Sequence, residues 1–574
     1  LTALAVMNPY LSTMEYSHYT MRGGAEGLDK AYAQGWSFHP KEIISFIIPD
    51  FWGGIDDATG RNYWGYMPFT QVYNYFGLLV LLLGVLALWS SQKGMARFLW
   101  ISSGIFTLMS FGSATPALSD LFLNYLPYFN KFRVPSMTLT IVQFNAVILA
   151  GLGLLQVQEN IGNPRWQKNY QRIFWIMGGI FVLWLIFAKS AFGFLPFARA
   201  DELAQYERAG AMGQFSALKD MRLNALVKSG ILSLLLGTVG LGLIYLASIK
   251  KMKASVLIIL LTIITFIDLW PYTGKHLKRL YPASQNREEH FKMQDYDEFL
   301  LSDEGNFRIY PLNFSFNQKS GNQLRPAGEW AYYHQSIDGY SAAKLKRYDD
   351  VLSVIKGDGR RDGEFFRYLK GVFAEDSQEL ALPVMNMLST KYIVIPDSIP
   401  YGSMLQNIRP VFSNGRVSIY ENLFALPRAW FVGNAEYVGD ADKVLERLWD
   451  PAFDPADTAL LEEPVEDVYR PDTAQVKQLK AGMHELEYAV STDKDALLVL
   501  SEVYYPAGWK AYLNDQEVKI HPVNYVLRGV RVPEGEYTLR MVFEPQSYSR
   551  GIKISLAGLG ITLLAVLAGF GLDS

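Results

Sequence analysis

The chain has 574 residues, 50% hydrophobic and 19% charged, with a formal net charge of −3 and no cysteine. That length is too great for one domain, and the near-balanced charge leaves no nucleic-acid footprint. The missing cysteines exclude disulfides, thiolate metal sites and cysteine nucleophiles, and the seven histidines include no pair at helical zinc-ligand spacing.

The mean hydropathy of +0.06 averages two unlike halves. Leu1 to Met7 reads as the tail of an apolar helix, and the protein is expected to extend further upstream. Residues 1–72 form a loop rich in aromatic and turn residues. It holds Glu15 and Arg22, then the run Trp36 to Glu42, the apolar stretch Ile43 to Ile48, and Pro49-Asp50-Phe51-Trp52-Gly53-Gly54-Ile55-Asp56-Asp57. Six apolar residues cannot span a bilayer but can lie in its interface as a short helix. Asp50, Asp56 and Asp57 are the carboxylates nearest the membrane here, of the kind that general-base or metal chemistry outside a bilayer needs. Pro-Asp and Asp-Asp beside glycines are equally ordinary turn chemistry.

Seven runs are predicted to cross a bilayer: Tyr73 to Trp89, Phe98 to Gly112, Val134 to Val157, Ile173 to Ala188, Ala225 to Ala247, Ala254 to Trp270 and Ile552 to Leu572. Alternate connectors carry Lys93 and Arg97, then Arg165, Lys168 and Arg172, then Lys250, Lys251 and Lys253. The positive-inside rule makes these cytoplasmic. The remaining loops, and the long segment 271–551, then face outward. One outward loop ends Phe129-Asn130-Lys131-Phe132-Arg133-Val134-Pro135. A cation among aromatics and prolines at the mouth of a span suits the phosphate of a lipid carrier, and also suits a snorkelling anchor.

Past Trp270 the composition changes. Strands at Phe307 to Tyr310, Lys391 to Ile395 and Val417 to Tyr420, with helical spacing at Ala342 to Ile355 and Ala441 to Trp449, predict an α+β domain. From Ala474 onward, seven short strands with turns such as Asn514-Asp515 and Glu534-Gly535 predict a β-sandwich. The expected organisation is an extracytoplasmic loop with an interfacial helix (1–72), a six-span membrane domain (73–272), an extracytoplasmic α+β domain (273–470), a β-sandwich (471–548) and a C-terminal span (549–574). The fold class is a polytopic α-helical membrane protein with a large extracytoplasmic region.

The stretch Leu498 to Tyr512, containing Ser501-Glu502-Val503-Tyr504-Tyr505-Pro506-Ala507-Gly508-Trp509, with Asn524 to Val530 and Val532-Pro533-Glu534-Gly535, resembles the end of the YfhO family of bacterial membrane proteins. Asp338-Gly339-Tyr340, Leu388 to Val394, Tyr420-Glu421-Asn422, Leu426-Pro427-Arg428-Ala429 and the loop ending in Arg133 are further family-like stretches. Where the family usually has Asp-Gly, this chain has Asn514-Asp515, which leaves the turn type open.

The resemblance implies a GT-C-type glycosyltransferase in the bacterial cytoplasmic membrane. Such an enzyme moves a sugar from a polyprenyl-phosphate donor to a cell-surface polymer or glycolipid on the extracytoplasmic side. In that fold the base or metal ligand usually lies in the first extracytoplasmic loop, a region this chain does not match, so Asp50, Asp56 and Asp57 are secondary candidates only. Arg133 and Arg22 are the candidates for the donor phosphate, and Asp338 and Tyr340 for the acceptor. A divalent metal is an open question. The other function class is a non-catalytic transporter or flippase subunit, or a scaffold presenting a glycan-binding sandwich. Trp509 and Tyr512 fall on opposite strand faces by parity, which favours core packing over a sugar-stacking platform, and His521 and Arg528 are expected as ordinary face residues.

Overall fold

The computed structural model describes residues 2–23, 27–54, 62–68, 74–277, 291–312, 324–374, 381–396, 399 and 407–572. They fall into two units, residues 26–283 and residues 1–25 together with 284–574.

The first unit is a helical bundle. Among the described residues of the whole chain, five helices are long and apolar enough to cross a membrane: Pro135–Glu159, Pro164–Phe192, Met212–Ser248, Ala254–Gly274 and, in the second unit, Gln546–Ala568. The two remaining expected spans are shorter or more polar. Gly77, at φ +101°, delays the first helix to Leu78, and Leu78–Trp89 covers only about 18 Å at 1.5 Å per residue. The helix Lys93–Ser110 holds Lys93 and Arg97 in its first two turns, which lowers its hydropathy. Leu79, Leu83, Tyr170, Leu241, Ile244 and Leu257 form the buried seam between the helices.

Successive helices alternate in direction, so the connectors gather at two ends. At one end Gly162 N–H donates to Ser248 O (2.9 Å), Gln167 Nε2 to Ser248 O (3.0 Å) and Ser91 N–H to Glu159 Oε2 (3.0 Å). This end bears the basic residues 93, 97, 165, 168, 250, 251 and 253. At the other end residues 27–54 and 62–68 lie over the mouths of the helices. Tyr75 donates to Asp268 (2.7 Å), a carboxylate only 1% exposed, and accepts from the Leu78 N–H (3.2 Å) that opens its helix.

Among the described residues the second unit holds three sheets. The strands are β1 (Arg308–Pro311), β2 (Thr390–Pro396), β3 (Ile408–Ser413), β4 (Val417–Asn422), β5 (Ala429–Phe431), β6 (Asn434–Tyr437), β7 (Thr458–Leu461), β8 (Ala474–Ala481), β9 (Glu485–Thr492), β10 (Ala496–Val503), β11 (Trp509–Leu513), β12 (Gln516–Val518), β13 (His521–Val523), β14 (Leu527–Val532) and β15 (Gly535–Phe543). Their orders are β1-β2-β4-β3, β5-β10-β14-β13-β7-β6 and β12-β11-β15-β9-β8. In β10 the residues Leu497 to Leu500 are all fully buried. Leu498 and Leu500 face the core shared with the five-stranded sheet, while Leu497 and Val499 face the core shared with helices Lys346–Lys356 and Glu364–Ala374. An unbroken apolar run is what a strand covered on both faces requires.

Asn514 and Asp515 have φ of +43° and +68°. The β11–β12 turn is therefore of the primed kind, whose twist suits a two-residue hairpin, and the Asn-Asp pair does the work of Asp-Gly. The expected strand Glu517 to His521 is split instead: β12 belongs to the five-stranded sheet and β13 to the six-stranded one, so the chain changes sheets at Lys519-Ile520.

The helix Met7–Ser17 packs along the C-terminal helix Gln546–Leu572. A Cβ on Gly551 would stand 2.8 Å from Asn8 Cα, and one on Gly558 2.7 Å from Leu4 Cβ. Ser555 Oγ accepts Asn8 N–H at 2.8 Å, and Ser547 Oγ donates to Glu15 at 2.7 Å. Small residues at these positions let two backbones meet closely, although Asn8 Oδ1 and Ser12 Oγ stay buried without a hydrogen-bond partner.

Candidate functional site

In the first unit the site is built by two segments far apart in sequence. Residues 27–38 are stitched to residues 110–135 by Leu28 N–H on Asn130 O (3.0 Å), Phe38 N–H on Ser110 O (2.8 Å), Gln34 Nε2 on Ser119 Oγ (2.6 Å) and Lys30 on Asp120 (2.5 Å). Ser37 Oγ donates to Gln34 O (2.6 Å) and accepts Ser113 N–H (2.9 Å).

This stitching brings Tyr32 and Trp36 to Arg133. The guanidinium carbon lies 4.1 Å from the Tyr32 ring centroid and 4.7 Å from that of Trp36, and Nη1 donates to the Tyr32 hydroxyl at 3.1 Å. Arg133 Nε is buried with no hydrogen-bond partner, and no carboxylate pairs with Arg133 among the described residues. A cation with its faces covered by aromatics is held in place while its charge stays uncompensated.

The backbone around it is strained. Trp36, Tyr128 and Val134 all have positive φ, of 58°, 64° and 65°. For the β-branched Val134 before Pro135 this conformation is a genuine outlier, costing about 1–3 kcal/mol. Tyr125, Tyr128 and Phe132 beside it are 79, 67 and 67% exposed. Exposed aromatics at the mouth of a membrane helix suit the headgroup level.

The same strand of chain continues into the 3-10 helix Pro40–Phe46, and this is the form taken by the expected interfacial segment. Ile43 and Ile47 are exposed on it, while Phe46 and Ile48 are buried. The helix carries Glu42, 2% exposed, whose two oxygens accept from the Tyr63 hydroxyl (3.0 and 2.9 Å) and from Tyr66 N–H (2.9 Å). Burial pushes the Glu42 carboxyl above the ordinary range, against the lowering effect of those hydrogen bonds. Asp50 lies in the turn that follows, its carbonyl accepting Gly53 N–H at 3.1 Å. Asp56 and Asp57 lie outside the described residues. No three His, Asp or Glu side chains among the described residues converge as a metal-ion ligand set would.

In the second unit the structure brings Arg22, Asp338 and Tyr340 into one neighbourhood. Residues 19–22 run beside residues 342–346: Met21 N–H donates to Lys344 O (3.0 Å), Lys346 N–H to Tyr19 O (2.8 Å) and Arg22 Nε to Ala342 O (2.6 Å). A cavity of about 320 Å³ opens there, lined by Tyr16, Asp338, Tyr340, Lys344, Tyr348 and Val503 among others. Tyr340 is 78% exposed at this site. Asp338 is tied by Lys356 Nζ (2.6 Å) and by Gly339 N–H (2.8 Å), so its carboxylate shapes the Asp-Gly turn. Tyr16 and Glu15 end the helix that runs along Gln546–Leu572, which places this cavity beside the first turn of the C-terminal membrane-crossing helix.

Sequence reasoning passed over Tyr32, Trp36, Glu42 and Tyr63 as site residues. Arg133 and Tyr32 are 101 positions apart, and Glu42 and Tyr63 are 21 apart across an irregular loop, so no periodicity links them. The one available signal was the density of aromatics between Trp36 and Trp64.

No curated protein and no solved structure matches the chain. Over residues 459–555, from β7 into the C-terminal helix, the chain matches the family model described as bacterial membrane protein YfhO.

Proposed function

We propose that the chain is a membrane glycosyltransferase that takes a sugar from a polyprenyl-phosphate donor and passes it to a cell-envelope acceptor on the extracytoplasmic side of the bacterial cytoplasmic membrane. In this reading the shorter helices Leu78–Trp89 and Lys93–Ser110 complete a GT-C-like six-span membrane domain, the C-terminal helix is a seventh span, and residues 471–548 form a β-sandwich outside the membrane. The basic connectors at one end of the bundle are cytoplasmic by the positive-inside rule, and the Arg133 end faces outward.

The single observation that carries the reading is Arg133: an uncompensated guanidinium clamped between Tyr32 and Trp36 at the aromatic mouth of a membrane helix. A lipid-linked sugar phosphate meets the protein at that depth, and a fixed guanidinium is the group that binds phosphate in two-pronged fashion. Arg22 is the second phosphate candidate, and Tyr340, with Asp338 shaping its turn, is assigned to the acceptor. Asp50, Asp56 and Asp57 stay secondary candidates for the base or for a divalent metal.

The test is transfer of radiolabelled sugar from polyprenyl-phosphate donors to envelope acceptors by the purified full chain, wild type beside Arg133→Ala. A charge-assisted hydrogen bond of about 1.5–3 kcal/mol predicts a loss of roughly 10- to 150-fold. Undiminished transfer by the variant removes Arg133 from the mechanism. The second reading, a transporter or flippase subunit or glycan-binding scaffold, has Asp268 on its side, an ionisable residue buried near the outer end of a span. Absence of transfer by wild type across a broad donor panel would favour it.

A further inference from the structure

The connector between helices Pro164–Phe192 and Met212–Ser248 folds into the helix Ala200–Arg208, and this helix and residues 63–68 enclose a cavity of about 400 Å³. That volume is in the range of small-ligand sites, about 300–1,000 Å³. Its chemistry is unusual for a membrane bundle: Tyr63, Arg199, Asp201, Glu202, Gln205 and Tyr206 supply most of the wall, with Gln214 beyond.

The wall is held from behind. Arg222, 1% exposed, grips both oxygens of Glu202 at 2.9 Å and donates to Phe197 O at 2.5 Å. Arg199 Nη1 donates to Met67 O (3.2 Å) and Pro68 O (2.9 Å), joining the helix to the 62–68 loop, and its Nε stands 3.4 Å from Asp201. Tyr63 is fixed by its hydroxyl on Glu42 and by Met67 N–H at 3.0 Å. Outside the lining, Trp52, Trp64 and Phe197 pack as an aromatic cluster on the same segments, with ring centroids 4.4 and 5.1 Å apart.

We infer that this cavity is a carbohydrate subsite that takes a neutral pyranose ring. Arg222 neutralises Glu202 from behind the wall and Arg199 stands against Asp201, so the site as a whole has no net charge to attract an ion. A phosphate would meet Asp201 and Glu202, and a hydrocarbon would strand five polar side chains. A ring of hydroxyls, each both donor and acceptor, matches carboxylates, amides and a guanidinium together, and the tyrosine rings offer faces for its C–H groups. The cavity lies at the same end of the bundle as Arg133. The inference deepens the transfer reading by giving the sugar a place, and rests on that reading for the role of the sugar.

The experiment is saturation-transfer NMR on the full chain in detergent micelles, with methyl glycosides of glucose, galactose and N-acetylglucosamine as probes. The expected result is saturable binding of at least one glycoside, weakened tenfold or more by the double variant Asp201→Asn, Gln205→Ala, unchanged by Arg208→Gln, and not displaced by inorganic phosphate. The side chain of Asp201 is 63% exposed and Gln205 is exposed, so these changes leave the fold intact. Failure of every glycoside to bind, equal binding by the double variant, or displacement by phosphate overturns the subsite. Binding is read without turnover. Transfer activity with no glycoside binding therefore sinks the subsite alone, whereas glycoside binding with no transfer from any donor sustains the subsite and sinks the transfer reading.

Discussion

Replacing Glu502 by glutamine should unfold the second unit more readily than any other single change of equal volume. Glu502 is the counter-charge of three buried arginines. Its carboxylate meets Arg308 at 3.5 Å and is hydrogen-bonded by Arg428. Arg528, 4% exposed, lies in its field with Nε on Val503 O (2.9 Å) and its guanidinium 3.9 Å from the Trp509 ring centroid. Burial, and then the neighbouring Arg428, pulls Arg308 down to about 10, and burial pulls Arg528 down to about 10 against the opposing pull of Glu502. The charged cluster is thus under stress even with its carboxylate in place. Removing one partner of a buried ion pair costs about 3–5 kcal/mol, because the remaining charge cannot regain water. Arg308→Met added to Glu502→Gln removes one of the like charges, so the double variant should cost less than the two single changes summed, by about 0.5–3 kcal/mol. The chain has no cysteine, so a single Val499→Cys reporter in fully buried β10 can follow urea unfolding of the full chain by thiol labelling. A cost below about 1 kcal/mol for Glu502→Gln, or strict additivity, would refute the electrostatic account.

Two further outcomes follow from buried groups and close backbones. Glu364, 1% exposed, accepts Val384 N–H (2.7 Å) and Met385 N–H (3.0 Å), and burial raises its carboxyl from 4.5 to about 7. A raised carboxyl means the folded chain holds the extra proton, so the contribution of Glu364 to stability is full below about pH 4.5 and falls by about 3 kcal/mol as pH rises through 7. Glu364→Gln should flatten that slope in amide-exchange protection of residues 383–388, and an unchanged slope would sink the assignment. Gly558→Leu should separate the N-terminal helix from the C-terminal one at a cost of about 1–3 kcal/mol, read as protease sensitivity of residues 2–17. Gly560→Leu, whose Cβ meets nothing within 4 Å, is the control, and equal sensitivity in the two variants would count against the close approach.

What the sequence made legible is what hydropathy and alternation encode. The long spans within Pro135–Glu159, Pro164–Phe192, Met212–Ser248 and Ala254–Gly274 follow from apolar length, although the second and third helices begin well before the expected runs at Ile173 and Ala225 because their first turns are polar. Strands β10 and β11 have the expected bounds because their side-chain pattern is regular. The misses have local causes. Gly77 holds the first membrane helix back, a bend at Lys519-Ile520 moves one strand between sheets, and β5 to β7 are three or four residues each, too short for a period. Arg528 was expected on a sheet face because charged residues alternate outward in an exposed strand. The unbroken run Leu497 to Leu500 was the available warning that both faces of β10 are covered, and with them the polar residues that follow.

The same arginine cluster explains why family resemblance reaches the fold more readily than the chemistry. The stretches that carry the resemblance, Leu426 to Ala429, Leu498 to Tyr512 and Asn524 to Val530, supply Arg428, Ser501, Glu502, Trp509 and Arg528. Of these, Ser501 and Glu502 meet Arg308 of β1: its Nη1 donates to Ser501 Oγ at 2.8 Å, its Nη2 to Ser501 O at 2.6 Å, and it stands 3.5 Å from the Glu502 carboxylate. Tyr525 O in turn accepts Arg347 Nη1 at 2.7 Å, and the Tyr525 hydroxyl donates to Asp350 at 2.7 Å. The motif residues are therefore joints, fastening the four-stranded sheet and its helices to the two larger sheets. A buried joint of charged residues tolerates little change, since each group left alone costs several kcal/mol, on the order of 3–5. The candidate chemistry in the helical unit has the opposite character. Arg133 ends a family-like loop, but Tyr32, Trp36, Glu42 and Tyr63 come from short helices and loops outside the stretches that carry the resemblance, and they form no contiguous motif with it. Substitution in the motifs should therefore lower folding yield, and substitution in the clamp should lower transfer while leaving a folded protein. The comparison of Glu502→Gln with Arg133→Ala tests that division in one preparation: loss of fold in the second, or a fully folded first, would show that joint and site are not separated in this way.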